Sequence, residues 1–401
     1  MKLLEKKQKE IIKLMSLSRS TICVITSSRA DYGLLKNLIF EIKRSKKFNL
    51  KLITTGTHLS FKHGLTYKEI IKDNIKINGK IKILKNSDTA ISISYAMSDG
   101  IKKFSRTYSK IRPDLILILG DKFEIFSAAI AAMLSRIPIG HIHGGESTEG
   151  AIDEAIRHSI TKMSHLHFVA AKKYRDRVVQ LGESPKNVYC VGGMGVDTIK
   201  KTKFYKKKVL EKKIGFKLGK KNILVNFHPV TIRKKMTKIY IKEILYALKN
   251  FKYTRVIFTM PNADHESDVI FREISGFVKN NKNSIVFKSL GSLAYLSCLK
   301  LMDVIVGNSS SGLLEAPSLK VPTINIGDRQ QGRLRAKSIN NCLPKKKEII
   351  ICLRKILGKK SKYSVNYFKS VYGKGGASKK ILSILEKTNF NNLLKKSFYD
   401  L

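Results

Sequence analysis

The residues best suited to chemistry lie in one stretch, Leu115 to Lys162, which holds Asp121, His141, His143, Glu146, Asp153, Arg157 and His158. Carboxylates and imidazoles are the side chains that transfer protons near neutral pH, so a cluster of them is a candidate acid–base centre. The sequence between them shows how they are gathered. Leu115 to Leu119 is a short apolar run between Arg112-Pro113-Asp114 and Gly120-Asp121; such a run reads as a buried parallel strand. Ala128 to Leu134, rich in small helix formers, reads as a packed helix. Ile137-Pro138-Ile139 starts a second strand that ends in His141-Ile142-His143-Gly144-Gly145-Glu146. Asp153, Arg157 and His158 then fall on a helix. Ligands of open α/β sheets bind outside the carboxyl ends of the strands, and Asp121, His141, His143 and Glu146 all stand there.

Two further segments look built for anions. Thr21 to Thr26 reads as a strand, followed by the turn Ser27-Ser28-Arg29-Ala30-Asp31-Tyr32-Gly33 and a helix from Leu34 to Arg44. Backbone N–H groups at a helix start attract anions, and Arg29 could clamp a phosphate through two parallel hydrogen bonds. Near the other end of the chain, Gly307-Asn308-Ser309-Ser310-Ser311-Gly312 follows the strand Val304 to Val306 and precedes a helix expected to contain Glu315. Serine hydroxyls and glycine N–H groups offer donors without bulk, as a diphosphate requires. Glu315 is placed to accept hydrogen bonds from ribose hydroxyls. Arg329, after the strand Thr323 to Ile326, is a second phosphate or base contact. His228 ends the strand Asn222 to Phe227 and faces a cleft.

The elements carrying these residues alternate strand and helix, first up to about residue 197 and again from residue 222. Two Rossmann-like domains are therefore expected: residues 20–198, a lysine-rich connection at 199–221, and residues 222–378. A final segment, 379–401, begins with a helix, Lys379 to Leu394, that packs back on the first domain. The site is expected in the cleft between the two carboxyl edges.

Composition narrows the alternatives. At 401 residues and 43% hydrophobic, the chain can build two cores. The sequence shows neither an apolar run long enough to cross a membrane nor a convincing signal peptide, and its five cysteines are scattered. A cytoplasmic, reducing setting is expected. The formal charge of +48 raises polyanion binding on an inactive scaffold as the competing class. Lysines spread along the chain, without interleaved aromatics or a nucleic-acid motif, favour a solvated basic surface instead. The pairs His141/His143, with Glu146, and His165/His167 lack third and fourth ligands at suitable spacing, so no metal is expected.

Five motifs resemble one family in order along residues 21 to 335: SRADYG at 28–33, GDKFE at 120–124, HIHGGE…TEGAIDE…RHSITK at 141–162, HPVT at 228–231 and GNSSSG…E at 307–315. They are similar to the hydrolysing UDP-N-acetylglucosamine 2-epimerases of sialic-acid-type biosynthesis. The resemblance implies a glycosyltransferase-B-like fold, a nucleotide-sugar substrate, no cofactor and a homo-oligomer. It implies that Asp121 and Asp153 are catalytic acids and His141 an active-site histidine. Arg29, His228, Ser309, Ser310, Glu315 and Arg329 match nucleotide-binding positions. Two positions depart from the pattern. His143 stands where several members carry a catalytic Glu, which leaves the acid–base role to His143, Glu146 or Asp153. Lys122 stands where some members carry Arg, so a bidentate diphosphate contact becomes a point charge. The substrates the resemblance allows are UDP-N-acetylglucosamine and the 2,4-diacetamido sugar of the legionaminic acid route.

Overall fold

The computed structural model describes residues 19–61, 63–85, 87, 89–148, 152–230, 236–261, 267–358 and 364–401. The lead-in through residue 18, residues 149–151 of the third motif, Thr231, and residues 262–264 lie outside the described residues.

The first half of the chain runs β1 (Ser20–Thr26), α1 (Arg29–Arg44), β2 (Phe48–Thr55), α2 (Tyr67–Lys72), β3 (Gly79–Ile81), α3 (Ala90–Ile111), β4 (Leu115–Leu119), α4 (Phe123–Leu134), β5 (Ile139–Ile142), α5 (Ile152–Met163), β6 (Leu166–Val169), α6 (Lys172–Gln180), β7 (Val188–Cys190) and α7 (Met194–Lys201). Its strands form one parallel sheet in the order β3-β2-β1-β4-β5-β6-β7. Both faces are covered, which explains the unbroken apolar run of β4. Leu115, Leu117 and Leu119 join Leu35 and Leu38 of α1 on one face. Ile116 and Ile118 join Phe104 of α3 and Ala128 of α4 on the other.

The second half continues with α8 (Lys207–Ile214), β8 (Asn222–Asn226), α9 (Met236–Leu248), β9 (Arg255–Thr259), α10 (Ser267–Lys279), β10 (Ser284–Phe287), α11 (Ser292–Lys300), β11 (Val304–Gly307), α12 (Ser311–Leu314), β12 (Thr323–Ile326), β13 (Ile339–Cys342) and α13 (Lys346–Leu357). A second parallel sheet has the order β10-β9-β8-β11-β12-β13. The last helix, α14 (Ala377–Leu385), buries Ala377, Ile381 and Leu385 in the first sheet's core. The following Phe390 stacks on Phe48 with ring centroids 6.0 Å apart.

Several local details differ from the sequence expectation. α4 begins at Phe123, since Glu124 and Ile125 turn inward ahead of the alanine run. The lysine-rich 199–221 segment contains α8, whose Leu210 and Ile214 enter the second core together with Leu218. Leu210 and Ile214 lie four residues apart on one face of the helix, among lysines, and Leu218 follows beyond the Gly215 cap. The helix expected to hold Glu315 is a single turn, and Glu315 is the residue that ends it. β13, Ile-Asn-Asn-Cys, escaped the hydrophobic pattern because it is an edge strand. Its Asn341 accepts a hydrogen bond from Asn325 of β12 at 3.0 Å. The final helix stops at Leu385, short of Leu394. Among the described residues no helix is long and apolar enough to cross a membrane.

Each sheet reverses its strand order at one place, β1/β4 in the first and β8/β11 in the second. A reversal splays the flanking connections apart and opens a crevice at the carboxyl edge. Arg29 and Asp121 follow β1 and β4. His228 and Asn308 to Ser310 follow β8 and β11. Both anion segments and the first acid are therefore delivered to topological crevices.

Candidate active site

In the first sheet's crevice a buried guanidinium organises the acids. Arg157 of α5 is 1% exposed. One of its terminal nitrogens donates to the Glu146 carbonyl at 2.9 Å and to the Glu154 carboxylate at 2.7 Å. The other donates to Thr148 Oγ1 at 2.8 Å and pairs with Asp121. Burial works against the charge, but Asp121, Glu146 and Glu154 together raise its pKa. Glu154 also accepts from Ser147 Oγ at 2.8 Å, from the Thr148 N–H at 2.5 Å and faces His158 at 3.2 Å. The loop carrying Glu146 is thereby folded onto α5. Asp121 keeps an exposed side, and Asp153 stands half-buried in the first turn of α5.

The two histidines of the HIH run part company. His141 is fully buried in β5, with Nδ1 3.1 Å from Thr161 Oγ1 and Nε2 2.8 Å from the Gly120 carbonyl. Burial lowers its pKa to about 3. It fixes the turn that presents Asp121 and has no face toward the crevice. His143 follows the strand with φ +66°, in the left-handed region where residues with a Cβ are uncommon. Its Nε2 accepts the Met194 N–H at 3.2 Å, so the proton sits on Nδ1, 3.0 Å from Glu146 Oε1. Burial alone would raise the Glu146 pKa, yet His143, Arg333 and Arg157 pull it down to about 2. Glu146 is accordingly an ionised carboxylate at neutral pH.

A second charged cluster lies beside them. Lys122 caps the start of α4 and donates to Ser28 Oγ at 2.8 Å and to Asp31 at 3.2 and 3.3 Å. Its ammonium therefore bonds the turn after β1. Burial opposes the Lys122 charge, but Asp31, Glu124 and Asp121 raise its pKa. Glu124 is 4% exposed, and its Oε2 has no hydrogen-bond partner. Burial raises its pKa to about 7 despite Lys122. Arg29 occupies the first position of α1, where burial lowers its pKa and Glu69 opposes the shift.

The second crevice is made of amides and hydroxyls. Gly307 has φ +142°, and a Cβ there would lie 2.0 Å from the Asn226 carbonyl, so only glycine lets β11 close on β8. Asn308 then clamps the backbone of His228 from both sides. Its Oδ1 accepts the His228 N–H at 2.6 Å, and its Nδ2 donates to the His228 carbonyl at 2.9 Å. The Asn308 carbonyl accepts from Arg329 at 3.1 Å and from Gln330 at 2.9 Å. Ser309 Oγ accepts the Ser311 N–H at 3.3 Å, and the Ser310 carbonyl accepts from Leu313 and Leu314. Glu315 receives the Ser311 hydroxyl, which in turn accepts from Tyr295 at 2.7 Å. Burial raises the Glu315 pKa.

The fold thus collects Asp121, His143, Glu146 and Asp153 around one hub, and His228, Ser309, Ser310 and Arg329 around another. The sequence alone singled out neither Glu154 nor Glu124, and it placed Arg157 in the acid stretch and Asn308 in the serine segment without a role for either. Glu124 and Asn308 lay inside the recognised motifs, and Glu154 stands one helical turn before Arg157. Among the described residues no three histidine, cysteine or acidic side chains converge as metal ligands. The sequence model of UDP-N-acetylglucosamine 2-epimerases matches residues 40–386.

The chain belongs to the UDP-N-acetylglucosamine 2-epimerase family.

Its enzyme class is hydrolysing UDP-sugar 2-epimerase. A GDP/UDP-N,N′-diacetylbacillosamine 2-epimerase (hydrolyzing) of Campylobacter jejuni is 41% identical over 96% of this chain and 100% of its own length. The polysialic acid biosynthesis protein P7 of Escherichia coli is 41% identical over 82% of this chain and 84% of its own. A UDP-N,N′-diacetylbacillosamine 2-epimerase (hydrolyzing) of Legionella pneumophila is 33% identical over 91% and 95%. The fold matches the Neisseria meningitidis UDP-GlcNAc 2-epimerase bound to UDP-GlcNAc, with TM-score 0.79 and 20% identity over 92% of this chain and 100% of that one. This is the expected glycosyltransferase-B-like pair of parallel-sheet domains.

Proposed function

We propose that this member of the family acts on UDP-N,N′-diacetylbacillosamine, releasing UDP and the free 2-epimerised 2,4-diacetamido sugar for legionaminic-type nonulosonic acid synthesis. The observation that carries the reading is the match to the Campylobacter protein, which covers that protein's whole length. The geometry supports the chemistry. A carboxylate takes the proton from sugar C2 as the C1–O bond breaks and UDP leaves with the bonding electrons, giving a C1=C2 double bond. Water then adds its hydroxyl to C1, and a proton returns to C2 from the opposite face. Two acid–base groups near C1–C2 and a binding half for the departing diphosphate are required. Asp121 and Asp153 are the acid–base pair in this reading, one after β4 and one on α5. Glu146, held ionised, stabilises positive charge that develops at C1. Ser309, Ser310, Arg29 and Arg329 donate to the diphosphate, His228 and Glu315 contact the nucleotide, and Lys122 supplies a point charge.

A second reading, UDP-N-acetylglucosamine as substrate, draws on the similarity to the polysialic acid biosynthesis protein. Paired incubations with the two UDP-sugars, following UDP release, decide between them. Faster kcat/KM on the diacetamido sugar is expected. A preference for UDP-N-acetylglucosamine overturns the proposal.

A further inference from the structure

One contact joins the acid loop of the first domain to the second. Arg333 lies between β12 and β13 of the second domain, with its side chain 12% exposed, and its terminal nitrogen is 3.7 Å from Glu146 Oε2. Glu146 itself is 3% exposed. The segment bearing Arg333 is bolted to the first domain at the next residue. The Leu334 N–H donates to Tyr174 Oη of α6 at 3.2 Å, and the Leu334 carbonyl accepts from Tyr372 Oη at 3.0 Å. The two tyrosine hydroxyls meet at 3.2 Å, and the Tyr372 carbonyl takes the Gly193 N–H at 2.8 Å. Leu334 also packs in the apolar cluster of Val178, Val196 and Tyr372. At its other end the same segment, through Arg329 and Gln330, grips the carbonyl of Asn308, the residue that clamps His228. A single loop, residues 329–335, thus touches the nucleotide crevice at one end and the acid loop at the other.

We propose that Arg333 is a positioning residue for the epimerisation: carried by the second domain, it completes the charge environment of Glu146 and so assembles the acid loop only when the two domains are docked. The inference rests on the reaction assigned above. Glu146 faces four other groups, and these bound what Arg333 does. His143 touches it from its own loop, Arg157 reaches it from α5, and Tyr174 and Tyr372 lie beside it from α6 and the carboxyl-terminal segment. Arg333 is the cation among these groups that belongs to the second domain. Its loss leaves a buried carboxylate short of one partner, which disfavours the ionised form.

Arg333→Met and Arg333→Lys test this. Arg333→Met is expected to lower kcat by about 10- to 100-fold, the scale of a misplaced catalytic group, with KM within about twofold. The acid limb of the kcat–pH profile moves to higher pH, because the Glu146 pKa rises. Arg333→Lys restores part of kcat and returns the acid limb toward its wild-type position. UDP affinity, measured by calorimetry, stays within about twofold in both variants, since the serine loop is untouched. An unchanged kcat and profile in Arg333→Met, or a loss confined to KM or UDP affinity, overturns the proposal. A double-mutant cycle of Arg333→Met with Glu146→Gln, read by thermal unfolding, is independent of activity. Non-additive shifts in melting temperature are expected, and additive shifts overturn the pairing. If the wild-type enzyme releases UDP from neither sugar, the assigned reaction fails, while the cycle still reports on the contact.

Discussion

The two halves of the site are built from opposite materials. The half in the first domain is ionic: Arg157 with Asp121 and Glu154, Lys122 with Asp31. The half in the second domain is made largely of neutral donors and acceptors: Asn308, the serines, Tyr295, Gln330 and backbone amides. The difference fits the tasks proposed for the two halves. A half that moves protons needs carboxylates whose protonation is set by neighbouring charges and burial. A half that binds a diphosphate gains from oriented donors and little bulk, and the ligand supplies the charge. The ionic half is consequently fragile to charge removal, whereas the neutral half loses affinity in small steps.

That contrast is broken most severely at Arg157. Arg157→Met strands Asp121 and Glu154 without their buried cation, and is expected to cost about 3–5 kcal/mol of stability. Denaturant unfolding measures the loss, and UDP release falls with it. A cost below about 1 kcal/mol would mean that the hub is dispensable.

Glu124 probes the same half through pH. Its pKa is about 7 folded, against an ordinary 4.5. The folded chain therefore keeps a proton that the unfolded chain has released, and stability falls as pH rises from about 4.5 to about 7. Glu124→Gln removes this fall, so the variant gains up to about 3 kcal/mol over wild type above neutral pH and nothing near pH 4. Melting temperatures across that range check the sign. Glu146 has the opposite sign: with a folded pKa of about 2, its contribution is complete above pH 4.5 and is lost as pH falls toward 2.

In the second half, Asn308→Ala releases both sides of the His228 backbone, and UDP affinity is expected to drop about 10- to 100-fold, two hydrogen bonds' worth. Ser309→Ala or Ser310→Ala is expected to lower it only about fivefold each. Calorimetry with UDP measures both, and stability of these serine variants stays near wild type. Ser309→Ala losing more affinity than Asn308→Ala would reverse the assignment of the clamp.

Much of this was legible before the fold was known. Apolar runs such as Leu115 to Leu119 mark parallel strands because both faces of the sheet are covered. Asp121 and His228 do follow β4 and β8, whereas His141 lies inside β5 and is fully buried. The same burial hides side-chain direction: in β5 Ile139, Gly140, His141 and Ile142 are all buried, so no alternation distinguishes His141, which turns inward, from His143. Pairings between elements were equally silent. Nothing local to Glu124, Arg157 or Arg333 reports that the first is left half-bonded, that the second meets four groups, or that the third crosses from the other domain. These are tertiary facts, set by which strand ends the topology brings together.

The most direct test of the central claim, that two unlike halves make one elimination–hydration site, is the reaction in heavy water with UDP-N,N′-diacetylbacillosamine, read by NMR. The account predicts one equivalent of UDP and a free sugar with deuterium at C2 and inverted configuration there. UDP release with the original C2 hydrogen and configuration retained would be plain hydrolysis, and would contradict it.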